Sequence, residues 1–310
     1  MSGPDISVVL TTFNRVRLLA RAIDSVLAQD ARVELIVVDD ASTDGTPEYL
    51  KTRSDPRIRT IISRNNLGPS GARNLGLDAA AAPFVAFLDS DDVYLPHRLS
   101  VPLGVLAAEP DVVCVLSSAR KFDRGVPRDA RIPALKLAAP AFEWALTCDL
   151  IPVEATSITV RREAAVAVGG FCPALRLAED REFLIRIART GAGRLVADLL
   201  WEKSWSEDSL SMDWSHSAAG LAAYVRERQE YVTRFSKLGS YLATKILVGH
   251  IRDGRYTMLL PDFLKLRDAG LVTGNLWRDI SNHREVRKYR RAMSNEAALA
   301  QLRGPPETWH

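Results

Sequence analysis

Phe84-Val85-Ala86-Phe87-Leu88-Asp89-Ser90-Asp91-Asp92 is the stretch whose reading decides the fold. Five apolar residues run straight into three carboxylates. An apolar run of that length reads as a strand buried on both faces, as in parallel sheets covered by helices. Three acids so close together repel one another unless something positive sits among them. Hard divalent cations such as Mg2+ and Mn2+ take oxygen ligands and travel with phosphates. The stretch therefore predicts a metal and diphosphate site at the carboxyl edge of an open α/β sheet, the edge where such sheets bind ligands. An acidic turn capping the next helix is the plainer alternative.

The flanking sequence repeats the pattern. Residues 6–10 form an apolar strand ending in Thr11-Thr12-Phe13-Asn14-Arg15, and Val16, Leu19, Ile23, Val26 and Leu27 then keep helical spacing. A second strand at 34–38 ends in Asp39-Asp40, and Thr46 is placed to cap a helix with Pro47 at its first position. A short third strand is expected at 58–62. The Gly-rich stretch 65–74 enters a helix ending near Ala82, and a helix at 97–108 and a strand at 111–117 follow the opening stretch. Strands alternating with helices predict a mostly parallel sheet with right-handed crossovers.

Residues 119–140 are basic, contain Pro and lack periodicity, which predicts a long loop. Alternation at 156–160 predicts a strand, and 161–168 a short helix closed by Gly169-Gly170-Phe171. Glu179-Asp180 opens a helix over 181–190, a late strand covers 195–197, and residues 221–303 read as three or four helices.

With 310 residues, 47% hydrophobic and 25% charged, the chain is an ordinary globular protein. No apolar run approaches the roughly 20 residues that span a bilayer, and the N-terminus reads as a first strand, not a signal peptide. Cys114, Cys148 and Cys172 match neither a zinc spacing nor a disulfide framework, so a cytoplasmic location is expected. Charge is uneven. Residues 215–310 hold 16 Lys/Arg against 9 Asp/Glu, and the rest holds 25 against 29. A basic C-terminal quarter beside an acidic body suits an anionic partner or membrane surface, or simply a solvated helical face.

Strand ends of a parallel sheet share one rim, so Asp39-Asp40 and Asp89 to Asp92 should converge. The loop from Gly68 to Arg73 reaches the same rim, with backbone N–H groups and the forked donor set of Arg73 suited to a diphosphate. There is no P-loop or dinucleotide fingerprint, and no Ser in a nucleophile elbow.

Five segments together resemble the family-2 glycosyltransferases with the GT-A fold. They are residues 7–14, residues 37–44, Asn66-Leu67-Gly68 with Ala72-Arg73-Asn74, residues 87–92, and Gly169-Gly170-Phe171 followed by Glu179-Asp180. The resemblance covers about residues 5–212. It implies inverting transfer from a nucleotide-sugar donor, UDP-linked, to a small-molecule, glycan or lipid-linked acceptor. Thr11, Thr12, Phe13 and Asn14 would line the nucleoside pocket, with Asp40 accepting from the base and Gly68 and Arg73 near the base or diphosphate. Asp89, Ser90 and Asp91 would hold the ribose, Asp91 and Asp92 a divalent metal (Mn2+ or Mg2+), and Asp180 would be the catalytic base. Ser206 stands where relatives carry a His near the metal, so a third ligand is open among Glu207, Asp208, His216 and water.

The same resemblance divides the chain into a catalytic domain at 1–214 and a helical region at 215–310. Within the first, 1–117 is the donor half and 118–214 the acceptor half. Trp144, Trp201 and Trp205 fall in the acceptor half and are read either as sugar platforms or as core. The basic run 284–291 is a candidate for peripheral membrane contact, and the C-terminal helices for homodimer formation. No nucleic-acid partner is expected. A sugar nucleotidyltransferase and a non-catalytic nucleotide-sugar or glycan binding protein are the alternatives. The first should carry a Gly-rich basic loop after the first strand, which Thr11-Thr12-Phe13-Asn14 is not, and the intact acids speak against the second.

Overall fold

A computed structural model describes residues 3–123, 125–175, 177–204, 236–252, 254, 256–268, 270–272 and 275–305. Ser206, Glu207, Asp208, His216, Trp205 and the boundary near 214 lie outside the described residues.

The expected strand and helix succession is present as β1 (Ile6–Thr12), α1 (Val16–Leu27), β2 (Val33–Asp39), α2 (Thr46–Lys51), β3 (Ile58–Ile62), α3 (Gly68–Ala79) and β4 (Phe84–Asp89). The short β5 (Asp92–Tyr94), α4 (Ser100–Ala108) and β6 (Val112–Asp123) follow. Val8, Val9 and Leu10, Leu35 to Val38, and Val85 to Leu88 are at most 1% exposed, which is why these strands read as unbroken apolar runs. Each buried Val, Leu, Ile or Phe among them contributes about 1.5–3 kcal/mol of burial. Thr46 does not cap α2. It is the first helical residue after Gly45, and Asp44 Oδ1 accepts its N–H at 2.9 Å.

The sheet order is β3-β2-β1-β4, then β9 (Ile158–Arg161), β6, β10 (Ala192–Lys203) and β5. The first four strands are mutually parallel, β9 runs antiparallel to β4 and β6, and β6 and β10 are again parallel. The chain between 119 and 140 is not a loop. It extends β6, turns into β7 (Val126–Ala130) against it, and adds β8 (Leu135–Leu137) on β10. Val126 to Asp129 are exposed, so neither face carries the alternation by which a half-buried strand is recognised.

Helices cover the sheet: α5 (Ala139–Thr147), α6 (Arg162–Ala167) and α7 (Glu179–Ala188). The C-terminal region holds α8 (Ser236–Arg252), α9 (Leu259–Asp268), α10 (Leu276–Ala292) and α11 (Glu296–Ala300). Helix α10 carries the basic run. Its Val286 is fully buried, whereas Arg284, Arg287, Lys288 and Arg291 are exposed. Trp144 is buried with its Nε1–H donating to the Tyr289 hydroxyl at 2.9 Å, and Trp201 is 1% exposed in the core. Neither offers a face to a sugar.

The parallel register positions the site. Thr11 pairs with Val38 on one side and Asp89 on the other, and Thr12 pairs with Asp39. Three strands thus end on one rim, beside the first turn of α3.

Candidate active site

That rim opens into a cleft of about 940 Å³. Thr11, Thr12, Phe13, Asn14, Asp40, Gly68, Arg73, Asp89, Ser90, Asp91, Asp92 and Asp180 all line it.

At one end the chain after β1 and β2 forms a tight corner. Asn14 takes a left-handed backbone (φ 52), its N–H donates to Ser42 Oγ at 2.8 Å, and its Oδ1 accepts the Thr43 N–H at 2.7 Å. Asn tolerates that conformation because its side chain bonds locally. Phe13 beside it is 43% exposed. Asp40 is buried, and its two oxygens accept the N–H groups of Leu67 at 2.7 Å and Gly68 at 2.9 Å. A carboxylate at the start of α3 satisfies amides that no helical carbonyl can reach. This corrects the expectation that the Gly68 loop offers its amides to a ligand, because Leu67 and Gly68 direct theirs to Asp40. Gly68 itself has φ 73, a backbone suited to Gly.

Arg73 is buried and bridges two carboxylates, donating to Asp89 Oδ1 at 2.7 Å and Glu179 Oε1 at 2.8 Å. It lies over the Phe171 ring, 5.4 Å from its centroid. The guanidinium ties β4 to the first turn of α7 at the wall of the cleft.

The acid cluster is held from several directions. Arg15 Nη1 donates to Asp91 Oδ2 at 3.0 Å. Thr156 Oγ1 donates to Asp92 Oδ2 at 2.6 Å, and Lys203 faces Asp92 in the β5–β10 register. Burial and the neighbouring Asp89 raise the pKa of Asp91 above the ordinary carboxylate range, against the pull of Arg15. Burial, with Asp89 and Asp91, raises that of Asp92 well above it. Asp92 Oδ1 is buried without a hydrogen-bond partner. Among the described residues no group of three His, Cys, Asp or Glu is arranged to hold a metal. Two acids whose ionised forms burial and mutual repulsion disfavour, one with an orphaned oxygen, still suit a divalent cation whose remaining ligands come from a bound diphosphate.

Asp180 stands apart from this cluster, in the first turn of α7. Its Oδ1 accepts the Arg181 N–H at 2.6 Å. Burial, then the adjacent Glu179, push its pKa up to about 7, against the pull of Arg181 and Arg73. A carboxyl tuned near neutrality in a cleft can take up a proton at working pH.

Sequence reasoning missed several lining residues. Arg15 directly follows the Thr11 to Asn14 segment, but its partner is 76 residues away. Glu154 accepts from Lys203 Nζ at 2.7 Å and also from Lys121, in a stretch with no legible motif. Asp149 and Leu242 also line the cleft, from the end of α5 and from α8.

The profile described as Glycosyl transferase family 2 matches residues 7–166. The chain is 46% identical over 97 residues to the succinoglycan biosynthesis protein ExoO of Rhizobium meliloti (strain 1021), covering 31% of this chain and 28% of that protein. It is 44% identical over 101 residues to the GalNAc(5)-diNAcBac-PP-undecaprenol beta-1,3-glucosyltransferase of Campylobacter jejuni, covering 31% and 33%. It is 35% identical over 102 residues to the UDP-Glc:alpha-D-GlcNAc-diphosphoundecaprenol beta-1,3-glucosyltransferase WfgD of Escherichia coli, covering 33% and 40%. These matches therefore span well under half the length of each curated relative.

Among solved structures, S. aureus TarS 1-349 in complex with UDP-GlcNAc superposes with a TM-score of 0.58 at 19% identity, over 92% of this chain and 91% of that one. The mannosyltransferase PcManGT from Pyrobaculum calidifontis, with GDP-Man and Mn2+, gives 0.59 at 18% identity over 94% and 87%. The fold is thus the α/β GT-A fold expected from the sequence, and with a profile match over more than half its length the chain belongs to glycosyl transferase family 2.

Proposed function

We propose that this protein moves a sugar from a UDP-linked donor to a hydroxyl of a lipid-linked acceptor by direct displacement with inversion. One observation carries the reading. Asp180, a carboxyl with a pKa of about 7, shares a cleft with the acid cluster of β4 and β5 while standing on a separate element.

In such a displacement the acceptor oxygen attacks the anomeric carbon opposite the departing nucleoside diphosphate. The new C–O bond forms as the bond to the diphosphate breaks, and the acceptor proton passes to Asp180. One base is enough, since no covalent intermediate forms. Thr11, Thr12 and the exposed Phe13 ring suit the nucleoside, with the Asn14 corner fixing their backbone. Asp40 holds the start of α3 in place beneath it. Asp89 and Ser90 suit the ribose, and Arg73 balances the charge of Asp89. Asp91 and Asp92 would hold a divalent cation, Mn2+ or Mg2+, whose charge would offset that gathering on the diphosphate.

The names of the Campylobacter and Escherichia relatives, which specify diphosphoundecaprenol acceptors and, in the second, UDP-Glc, support the donor and acceptor classes. No helix among the described residues is long and apolar enough to cross a membrane, so such an acceptor would be met at a bilayer surface. Cys114, Cys148 and Cys172 as thiols fit a cytoplasmic location.

The test is a thermal-shift panel of UDP, GDP and other nucleoside diphosphates with and without Mn2+. Turnover with UDP-sugars and a synthetic N-acetylglucosaminyl diphospholipid follows. Stabilisation by UDP and transfer are expected. A melting temperature unmoved by every nucleotide, with and without metal, overturns the proposal.

A further inference from the structure

We infer that Asp149 is a positioning residue for the acceptor side of the cleft, clamping Arg181 of α7 and Arg290 of α10 in one bridge. The inference rests on Asp180 being the base.

The backbone at this point is unusual. Helix α5 closes with the Asp149 N–H donating to Leu146 O at 3.2 Å and the Leu150 N–H to Ala145 O at 2.9 Å. In that closure the left-handed position is normally Gly. Here it is Asp149, at φ 54. A side chain retained where Gly fits better points to work for the side chain.

The contacts supply that work. Asp149 Oδ1 accepts from Arg181 Nη2 at 2.6 Å, and Asp149 Oδ2 lies 2.7 Å from Arg290 Nη2. Arg290 Nη2 also donates to the Asp149 carbonyl at 2.6 Å. Arg181 is fixed further by the Leu146 carbonyl at 2.7 Å. The preceding residue on α7 is Asp180, whose carboxylate accepts the Arg181 N–H. On the far side, Arg290 lies over the Tyr241 ring of α8, 5.2 Å from its centroid, and Leu242 beside it lines the cleft. One carboxylate therefore connects α5, the helix bearing the base and the C-terminal helices. Arg181, Arg290 and Leu242 all lie beyond the residues matched by the family profile.

The bridge also bears on proton uptake. Asp180 is faced by Glu179 and Arg181 on α7 and by Arg73 on α3, and Asp149 acts on it by balancing Arg181. Without that carboxylate, Arg181 presents more positive charge to Asp180 and makes it a weaker base.

The experiment compares Asp149→Gly and Asp149→Asn with the full wild-type chain. Calorimetry measures UDP affinity with Mn2+, and UDP release from UDP-glucose, with water as acceptor, is followed from pH 5 to 9. Gly relieves the backbone and Asn tolerates it, so folding survives in at least one variant. We expect UDP affinity within about twofold of wild type, UDP release down about tenfold, and the acid limb of the profile displaced to lower pH by roughly one unit. Wild-type release and an unmoved limb in Asp149→Gly overturn the inference, since a merely structural role predicts that result. A wild-type chain that fails to bind UDP instead sinks the proposed function, and the two failures are read from separate measurements.

Discussion

Arg73 Nη1 donates to Glu179 Oε1 at 2.8 Å across 106 residues of sequence. With Nη2 on Asp89, one buried guanidinium joins strand β4 to the helix that carries Asp180. Removing it leaves two carboxylates facing each other without a counter-charge. Arg73→Met should cost about 2–4 kcal/mol, the lower part of that range reflecting the partial exposure of Asp89. Arg73→Lys should recover only part, because one ammonium lacks the fork that reaches both acids. Urea denaturation at pH 7.5 measures both. A Met variant as stable as wild type would show that the bridge does not hold the two halves together.

Asp180→Asn should separate activity from stability. Under the proposed base role, its loss should lower transfer by about 10²–10⁴-fold while UDP affinity stays near wild type. The sign of the stability effect follows from linkage. The folded pKa of about 7 lies above the ordinary value of 3.8, so between those values the folded state holds a proton that the unfolded state has lost. Wild-type stability therefore falls as pH rises through that window. The variant should gain roughly 2–4 kcal/mol over wild type at pH 8 and little at pH 4. Melts at both pH values check it, and near-normal transfer by Asp180→Asn would remove Asp180 from the base role.

Which parts were legible follows from the range of the interactions. Asp89 to Asp92 and Thr11 to Asn14 stood out because each ends an apolar strand, and the parallel register then brings Thr11 opposite Asp89. The resemblance supplied Asp180, which the chain alone presents as an acidic helix start. The pairs that close the site were not legible. Arg15 with Asp91, Arg73 with Glu179 and Asp149 with Arg290 join residues 76, 106 and 141 positions apart, and no local pattern encodes such a pair. The hairpin of β6 and β7 was missed because Val126, Pro127 and Arg128 are exposed at a sheet edge, where burial imposes no period of two. Trp201 read as well for a sugar platform as for core, because an aromatic carries no sign of which face is wet.

Chelation should expose the role proposed for Asp92. UDP at 100 times its Kd adds about 2.7 kcal/mol to a protein that binds it only when folded. In the wild type that increment should need Mn2+ and vanish with EDTA. Asp92→Asn keeps the shape of the side chain and a partner for Thr156 but loses the carboxylate whose Oδ1 has no hydrogen-bond partner. Its UDP-dependent shift should be the same with and without Mn2+. A metal-dependent shift that survives in Asp92→Asn would assign the cation to other residues.

The Gly169-Gly170-Phe171 turn offers a contrast between two adjacent glycines. Both have positive φ, 79 and 69, so Ala at either should cost about 1–2 kcal/mol of backbone strain. Only Gly170 is also crowded: a Cβ there would lie 2.4 Å from Asn74 Oδ1, whereas nothing lies within 4 Å at Gly169. Asn74 holds the Phe171 backbone at both ends, accepting its N–H at 2.7 Å and donating to its carbonyl at 2.8 Å. Phe171 in turn stacks on Phe183 and lies beneath Arg73. Displacing Asn74 therefore weakens two hydrogen bonds, worth about 0.5–1.5 kcal/mol each, and unsettles the support of Arg73. Gly170→Ala should lose about 2–4 kcal/mol and bind UDP more weakly, while Gly169→Ala should lose only the strain and bind UDP normally. Urea denaturation and UDP calorimetry on the pair distinguish these effects, and equal losses would mean that the Asn74 contact adds nothing to the turn.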